Sequence, residues 1–472
     1  MKPRHHNFFS RRLFMFFSFF NFIASFLQAE LQWDWRSIDP TTVSFPKNFV
    51  WGVGTAAHQV EGNCSNNNWS AWELSVDPSG NPRIKDGQKA GIACDHWNRY
   101  KEDIQLMKQL GIKAYRFSVE WSKIEPRAGF FNQEALNHYS DVCDALLAAD
   151  IKPVITLHHF TNPYWFEQLG SFEKEENIKF FVRFCNKVFS TLHKKVTMWC
   201  TINEPFIYIL HGYLSGLFPP GKNNLQLAGI VLKNLLEAHV RAYHELKKLP
   251  GGDEAMVGIV TNVTQFDAYN QWNIFERCIG SMLNKLFNSS IIKFLKTGSF
   301  SFYFPFLANV HHKNLDATRS SDFIGLNYYS HAYIKFNVNI KKMLNPMARP
   351  DDIQTDMPLV FYPEGLYRAI KTVSCLGVPI YITENGIADA KDDRRELFLQ
   401  RYLYALSKAL SEGYDVRGYF YWSLMDNFEW CEGFSMRFGL YAIDYQTQER
   451  RLRMGARYFI DTVKKFSGVE NF

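Results

Sequence analysis

Short apolar runs alternate with segments of helical periodicity along most of this 472-residue chain. Short runs rich in β-branched and aromatic residues are typical of buried strands, whereas apolar positions about three or four residues apart indicate one face of a helix. The strand-like runs are Phe49–His58, Ala114–Trp121, Lys152–Phe160, Met198–Pro205, Met256–Val263, Asp322–Ser330, Pro379–Gly386 and Val416–Asp426. Because nearly every position in them is apolar, the pattern predicts strands that are buried on both faces.

Amphipathic segments between these runs predict helices. The clearest apolar stripes lie within residues 97–110, 181–192 and 399–410, and Gly111 and Gly413 follow the first and the third as helix stops. Eight strands that alternate with helices predict an α/β fold, a single (β/α)8 TIM barrel. A doubly wound open sheet is the alternative, and it is disfavoured because no GxGxxG motif opens a helix after the first run.

The first 29 residues differ from the rest of the chain. Basic residues come first, the run Leu13–Leu27 is almost wholly apolar, and the small Ala29 follows. This order predicts a signal peptide over residues 1–29 and an exported protein, periplasmic or secreted, with no stable membrane span after cleavage. A signal anchor that retains residues 13–27 in the membrane is the alternative, because the cleavage signal is imperfect. No linker divides residues 30–472, which we predict to form one catalytic barrel.

Composition excludes several classes of function for this chain. The hydrophobic fraction of 46% and the charged fraction of 21% are ordinary for a globular protein. The net charge is only +6 and the basic residues are interspersed, so no nucleic-acid partner is predicted. None of the eight cysteines has CxxC spacing, and most are expected to be buried small apolar residues. No metal or cofactor is predicted, and the oligomeric state is left open.

Two carboxylates lie at the ends of otherwise apolar runs, where a TIM barrel builds its active site. Glu204 ends the fourth run and Glu384 ends the seventh. A buried charge is costly unless it is paired or functional, and two carboxylates that face one cleft are what cleavage of a glycosidic bond requires. Gln, His, Asn and Trp residues at neighbouring run ends suit a sugar. The alternative is that both glutamates are core acids held by Arg116.

Motifs along nearly the whole chain, from about Phe45 onward, resemble the signatures of glycoside hydrolase family 1, the β-glucosidase family. They are FVWGVGTAAHQVEG at 49–62, YRFSVEW at 115–121, TINEP at 201–205, FIGLNYY at 323–329, ITENG at 382–386 and WSLMDNFEW at 422–430. The resemblance implies a (β/α)8 barrel that hydrolyses terminal non-reducing β-D-glycosyl residues by double displacement. The expected partner is a β-glycoside or oligosaccharide substrate.

The resemblance also implies roles for individual residues. Glu204 is expected to be the acid/base and Glu384 the nucleophile, supported by Arg116 and Tyr329. The residues expected to bind the sugar are Gln59, His159, Asn203, Asn327, Trp422, Glu429, Trp430 and Phe438. Retention implies carboxyl groups about 5–5.5 Å apart. We expect the negative charge of Glu384 to raise the pKa of Glu204.

Two departures from the family pattern leave the sugar preference undetermined. Phe160 stands where many members have Trp, and residues 63–73 do not follow the commoner wording. Gln59 and Glu429 can hold glucose, galactose or fucose. A 6-phospho-β-glycosidase is an alternative, but Glu429 would repel a phosphate and residues 435–438 include no Lys. A non-catalytic barrel that binds a sugar or a protein is another, and it is disfavoured because both catalytic motifs are intact.

Overall fold

Eight parallel strands form a closed barrel in the computed structural model, which describes residues 30–337 and 348–467. The strands are β1 (Val50–Thr55), β2 (Ala114–Ser118), β3 (Lys152–His158), β4 (Met198–Asn203), β5 (Met256–Asn262), β6 (Phe323–Asn327), β7 (Ile380–Asn385) and β8 (Val416–Trp422). They follow one another in sequence order, and β1 closes the barrel against β8. The predicted TIM barrel is confirmed. The predicted leader lies outside the described residues.

Every predicted run extends past the C-terminal end of its strand. The largest excess is at β8, which ends at Trp422 although the run continues to Asp426. In the first run His58 belongs to a short helix, Ala57–Val60, rather than to β1. The chain leaves the barrel at these points, and the buried residues that follow form loops over its C-terminal end. Apolar character therefore marks burial there, not strand conformation.

Helices surround the barrel. The longer ones are α1 (His96–Gln109), α2 (Gln133–Ala148), α3 (Ile178–Leu192), α4 (Leu225–Lys248), α5 (Ile274–Asn284), α6 (Ser290–Thr297), α7 (Pro363–Val373), α8 (Arg395–Ser411) and α9 (Arg457–Ser467). Short helices span Asn68–Trp72, Trp121–Ile124, Tyr164–Gln168 and Pro205–Ile209. The three predicted stripes lie in α1, α3 and α8, and the predicted apolar residues of α3 are fully buried. These stripes pack against the barrel, as predicted.

Within the described residues, three two-stranded sheets accompany the barrel, and they were not predicted. They pair Gln265–Ala268 with His331–Ile334, Ser299–Phe304 with Ala308–Lys313, and Tyr441–Ile443 with Arg450–Leu452. No helix among the described residues is long and apolar enough to cross a membrane. All eight cysteines are free thiols, and five of them are buried, as expected for most: Cys64, Cys94, Cys143, Cys185 and Cys200.

Candidate active site

Glu384 lies near the end of β7 and is held by two donors. Arg116 on β2 places Nη1 2.5 Å from the Glu384 Oε1 atom, and the Tyr329 hydroxyl donates to Oε2 at 2.7 Å. The carboxylate and the guanidinium are both buried. A guanidinium and a phenol hydroxyl are suitable partners for an ionised carboxylate. Both oxygens are thereby fixed in orientation.

Glu204 follows β4 directly and has an unusual backbone conformation. Its φ of 45° lies in the left-handed region, which is uncommon for a residue with a Cβ atom, and Pro205 then begins a short helix. The side-chain Oε1 accepts hydrogen bonds from Asn327 Nδ2 at 2.8 Å and from Asn262 Nδ2 at 3.1 Å. Residues held in sparsely populated backbone regions cluster at functional sites. The turn at Glu204 brings its carboxyl to the polar ends of β5 and β6.

The two carboxyl groups have different electrostatic surroundings. Burial raises the pKa of Glu204 to about 8, and the charge of Glu384 is the second cause. The sequence predicted the second cause and its direction, but burial is the larger effect. Hydrogen bonds from Asn327 and Asn262 act in the opposite direction. The pKa of Glu204 is therefore raised, whereas Glu384 is paired with a cation.

A chain of side-chain hydrogen bonds connects the two glutamates. Arg116, which pairs with Glu384, also donates from Nη2 to Asn203 Oδ1 at 2.6 Å. Asn327, which donates to Glu204, lies 3.2 Å from the same Asn203 oxygen. The Asn203 amide nitrogen contacts His159 Nε2 at 3.2 Å. One polar network thus positions both carboxyl groups and the amide of Asn203.

Two buried polar atoms of this site have no hydrogen-bond partner within the protein. Gln59 Oε1 and His159 Nδ1 are buried without a hydrogen-bond partner. Gln59 Nε2 donates to Glu429 Oε2 at 3.2 Å, and burial, with the charge of Glu384 second, raises the pKa of Glu429 to about 8. Buried polar atoms are rarely left unsatisfied, because each costs about 1–3 kcal/mol. A ligand with several hydroxyl groups would satisfy them.

Aromatic rings border the same region. The His159 ring lies 5.8 Å from Trp422 and 6.0 Å from Trp430 between centroids, at 22° to each. Phe438 meets Tyr329 edge-on at 6.0 Å. Indole faces are suited to stacking on the apolar face of a sugar ring. Every site residue predicted from the sequence contacts at least one other predicted residue in this region.

One cluster of possible metal ligands exists among the described residues. Ligand atoms of His58, Cys64 and Glu120 lie within 4.8 Å of one another. However, His58 Nε2 is 2.7 Å from Glu73 Oε1, and Nδ1 is 3.2 Å from the Asn67 amide nitrogen. Both ring nitrogens thus have hydrogen-bond partners, which account for the burial of the imidazole.

Comparison with known proteins identifies the family. The model of glycosyl hydrolase family 1 matches residues 41–467. The chain belongs to glycosyl hydrolase family 1. It is 33% identical over 454 residues to beta-glucosidase A of Thermotoga maritima, covering 90% of this chain and 99% of that protein. It is 30% identical to beta-glucosidase A of Acetivibrio thermocellus, covering 89% and 98%.

Solved structures agree with this family 1 assignment. The beta-glycosidase from Pyrococcus horikoshii has a TM-score of 0.81 and 37% identity, covering 90% of this chain and 96% of that one. The Thermotoga maritima beta-glucosidase in complex with galacto-hydroximolactam has a TM-score of 0.80 and 31% identity, covering 91% and 100%. The predicted family and its O-glycosyl hydrolase activity are thus confirmed.

Two residues of this family 1 site were not predicted as part of the catalytic network. Asn262 was not among the predicted site residues, but it donates from Nδ2 to Glu204 Oε1. Thr383 donates from its hydroxyl to Asn327 Oδ1 at 2.7 Å. Both are polar residues near the ends of apolar strands, β5 and β7. The signal that singled out Glu204 and Glu384 was therefore present at these positions too.

Proposed function

We propose that this enzyme cleaves terminal β-D-glycosides with Glu384 as nucleophile and Glu204 as acid/base. The observation that carries the proposal is the contrast between the two carboxyl groups. Glu384 is bonded to Arg116 and Tyr329, whereas the pKa of Glu204 is raised by burial to about 8. Hydrolysis with retention needs one ionised and one protonated carboxyl group.

In the first step the Glu384 carboxylate attacks the anomeric carbon, and the glycosidic carbon–oxygen bond breaks. The Glu204 carboxyl gives its proton to the departing oxygen, so the leaving group departs neutral. A covalent glycosyl-enzyme ester forms at Glu384. Arg116 and Tyr329 both donate hydrogen bonds to the Glu384 carboxylate and hold it in position before the attack.

In the second step water attacks the ester. Glycosylation removes the negative charge of Glu384, which is the second cause of the raised pKa of Glu204. The pKa of Glu204 then falls, and its carboxylate can accept a proton from the attacking water. The bond between the sugar and Glu384 breaks, the carboxylate is regenerated, and Glu204 is protonated again. The same residue serves as acid and then as base.

Sugar binding is assigned to the unpartnered polar atoms and the adjacent rings. Gln59 Oε1 can accept from a sugar hydroxyl, and His159 Nδ1 can bond to another. Burial holds the pKa of His159 well below its usual value, so the imidazole is neutral. Trp422 and Trp430 supply stacking surfaces. A site of this kind recognises an uncharged pyranose.

Relatives support a glucoside as the first substrate to test. Two curated relatives are named beta-glucosidase A, and the solved Thermotoga maritima beta-glucosidase has been captured with glucoimidazole and with galacto-hydroximolactam. We therefore propose β-glucosides as the preferred substrates of this chain, with β-galactosides second. The rates on matched aryl β-glucoside and aryl β-galactoside decide their order.

The deciding experiment is chemical rescue of Glu384→Gly. We expect this variant to lose hydrolysis of an aryl β-glucoside and to form the glycosyl azide when azide is added, because azide replaces the missing nucleophile. Glu237→Gln is the matched control, since Glu237 is a buried glutamate on α4 that bonds His312 instead of the site. Activity retained in Glu384→Gly, or lost without azide rescue in a folded variant, would contradict the proposed nucleophile.

A further inference from the structure

Large apolar side chains are exposed on the segment that follows β5 and just after the strand His331–Ile334. The exposed fractions are 94% for Trp272, 61% for Ile274 and 63% for Phe275, with 38% for Met282 and 47% for Phe336. The rings of Phe275 and Phe336 lie 5.5 Å apart between centroids. Single exposed apolar residues are ordinary, but a group of large ones marks an interaction site. These five residues are called the Trp272 surface below.

The exposed charges within the two segments that carry the Trp272 surface are of one sign. Within residues 269–285 and 331–337, the charged side chains that reach solvent are Arg277, Lys285 and Lys335. The one acidic residue in these stretches, Glu276, is buried and accepts hydrogen bonds from two backbone N–H groups. Aromatic residues beside exposed basic ones are typical of surfaces that contact anionic lipid headgroups.

The apolar leader joins the fold beside this surface. Glu30 is the first described residue, and its carboxylate accepts from the Tyr333 hydroxyl at 2.5 Å and pairs with Arg349 at 2.8 Å. Gln271 Nε2 lies 3.4 Å from the same carboxylate. Gln271 directly precedes Trp272 in the chain, so Glu30, which follows the 29-residue leader in the sequence, lies next to the Trp272 surface.

We propose that the leader is retained as a signal anchor and that the Trp272 surface lies on the same bilayer, in contact with anionic headgroups. The apolar run Leu13–Leu27 is short for a comfortable span, so a second contact with the bilayer would strengthen its hold. Trp and Phe side chains favour the interfacial region of a bilayer. The Trp272 surface and its basic neighbours supply that second contact.

A second copy of the chain suits this surface less well. In a twofold dimer the same patch faces itself, so the basic residues Arg277, Lys285 and Lys335 of both copies would be brought together. Like charges in an interface are repulsive. Anionic lipid headgroups instead offer the opposite sign, and the arrangement of charges therefore favours a bilayer.

The test uses an environment-sensitive fluorophore on the full chain in vesicles of phosphatidylglycerol and phosphatidylcholine. One label is attached at Met282→Cys, at the edge of the Trp272 surface. The control label is attached at Asp150→Cys, which is exposed in the turn before β3, at the opposite end of the barrel. The three cysteines that are not buried, Cys278, Cys375 and Cys431, are replaced by Ser in both proteins.

We expect blue-shifted emission at position 282 that lipids spin-labelled in the headgroup region quench, and aqueous, unquenched emission at position 150. Trp272→Ser with Phe275→Ser is expected to remove the quenching at 282, and retained glycosidase activity shows that this variant is folded. Aqueous emission at 282, or equal quenching at both positions, would overturn the proposal. A blue shift at position 282 without quenching would show that the leader or a second copy of the chain covers the Trp272 surface. That result would also overturn the proposal.

Discussion

At the scale of single residues, the two glutamates of the site differ in their surroundings. Polar residues in apolar strands made Glu204 and Glu384 visible in the sequence, because a buried charge is costly unless it is paired or functional. Their partners were less visible. The burial that raises the pKa of Glu204, and the hydrogen bond from Asn262, depend on how β4 and β5 end. Residue identity was predictable, but the larger cause of the pKa shift was not.

The hydroxyl of Tyr329 can be tested alone. Tyr329→Phe removes the 2.7 Å hydrogen bond to Glu384 Oε2 and leaves the ring in place. A hydrogen bond to a charged group is worth about 1.5–3 kcal/mol, so we expect kcat/KM to fall by about 10- to 100-fold. Tyr243→Phe is the matched control, because it removes a hydroxyl–carboxylate bond of 2.8 Å to Asp322 outside the site. Equal activity in both variants would argue against a role for Tyr329.

The pH dependence of kcat/KM tests whether Glu204 is the acid. The first step needs protonated Glu204, so kcat/KM of the parent enzyme should fall as pH rises through about 8. Glu204→Gln cannot lose this proton, and its pH profile should lack the fall when measured with a strongly activated aryl leaving group. Glu429 has a similarly raised pKa, so Glu429→Gln is the control and should keep the fall. The reverse result would assign the titration to Glu429.

At the scale of elements, the strands were predictable because continuous burial leaves an unbroken apolar run. Their C-terminal ends were not, since the loops there are buried as well; β8 ends at Trp422, before the predicted Asp426. The Ser299–Phe304 and Ala308–Lys313 pair was not predicted because it packs on the helices α4 and α6, and its positions are a mixture of buried and exposed. A pattern of polarity reports burial first and conformation second.

The contact between β1 and β8 leads to a testable prediction about Trp422, which is proposed to stack on the sugar. A Cβ atom at Gly54 would lie 3.2 Å from Cε3 of the Trp422 ring, so Gly54→Ala should displace the indole. Loss of about 1 kcal/mol of ring contact predicts a KM about five-fold higher with a smaller change in kcat.

Gly418→Ala is the control for this change. Its Cβ would crowd Tyr381 and Val50 near the other end of β8, so it should lower thermal stability and leave KM unaltered. An unchanged KM in folded Gly54→Ala would argue that Trp422 does not support the sugar.

At the scale of the whole molecule, the barrel gathers buried carboxyl groups at one end. Glu204, Glu384 and Glu429 are all buried there, and Arg116 is the guanidinium that contacts one of them. Hydrophobic burial elsewhere in the barrel offsets the cost of this cluster. Such sites trade stability for activity. The cost of burying these carboxyl groups should therefore appear as a dependence of the free energy of unfolding on pH.

The sign follows from the direction of the pKa shift at Glu429. Its pKa in the folded protein is about 8, above the usual value of 4.5, so the folded state keeps a proton that the unfolded state has lost between these values. This contribution to stability is therefore full below about pH 4.5 and is lost as pH rises through about 8. Glu429→Gln removes the titration, so its melting temperature should exceed that of the parent increasingly between about pH 4.5 and 8. The gain corresponds to at most about 5 kcal/mol. Glu102→Gln, at an exposed glutamate on α1, should change nothing at any pH, and a gap for Glu429→Gln that does not widen with pH would contradict the raised pKa.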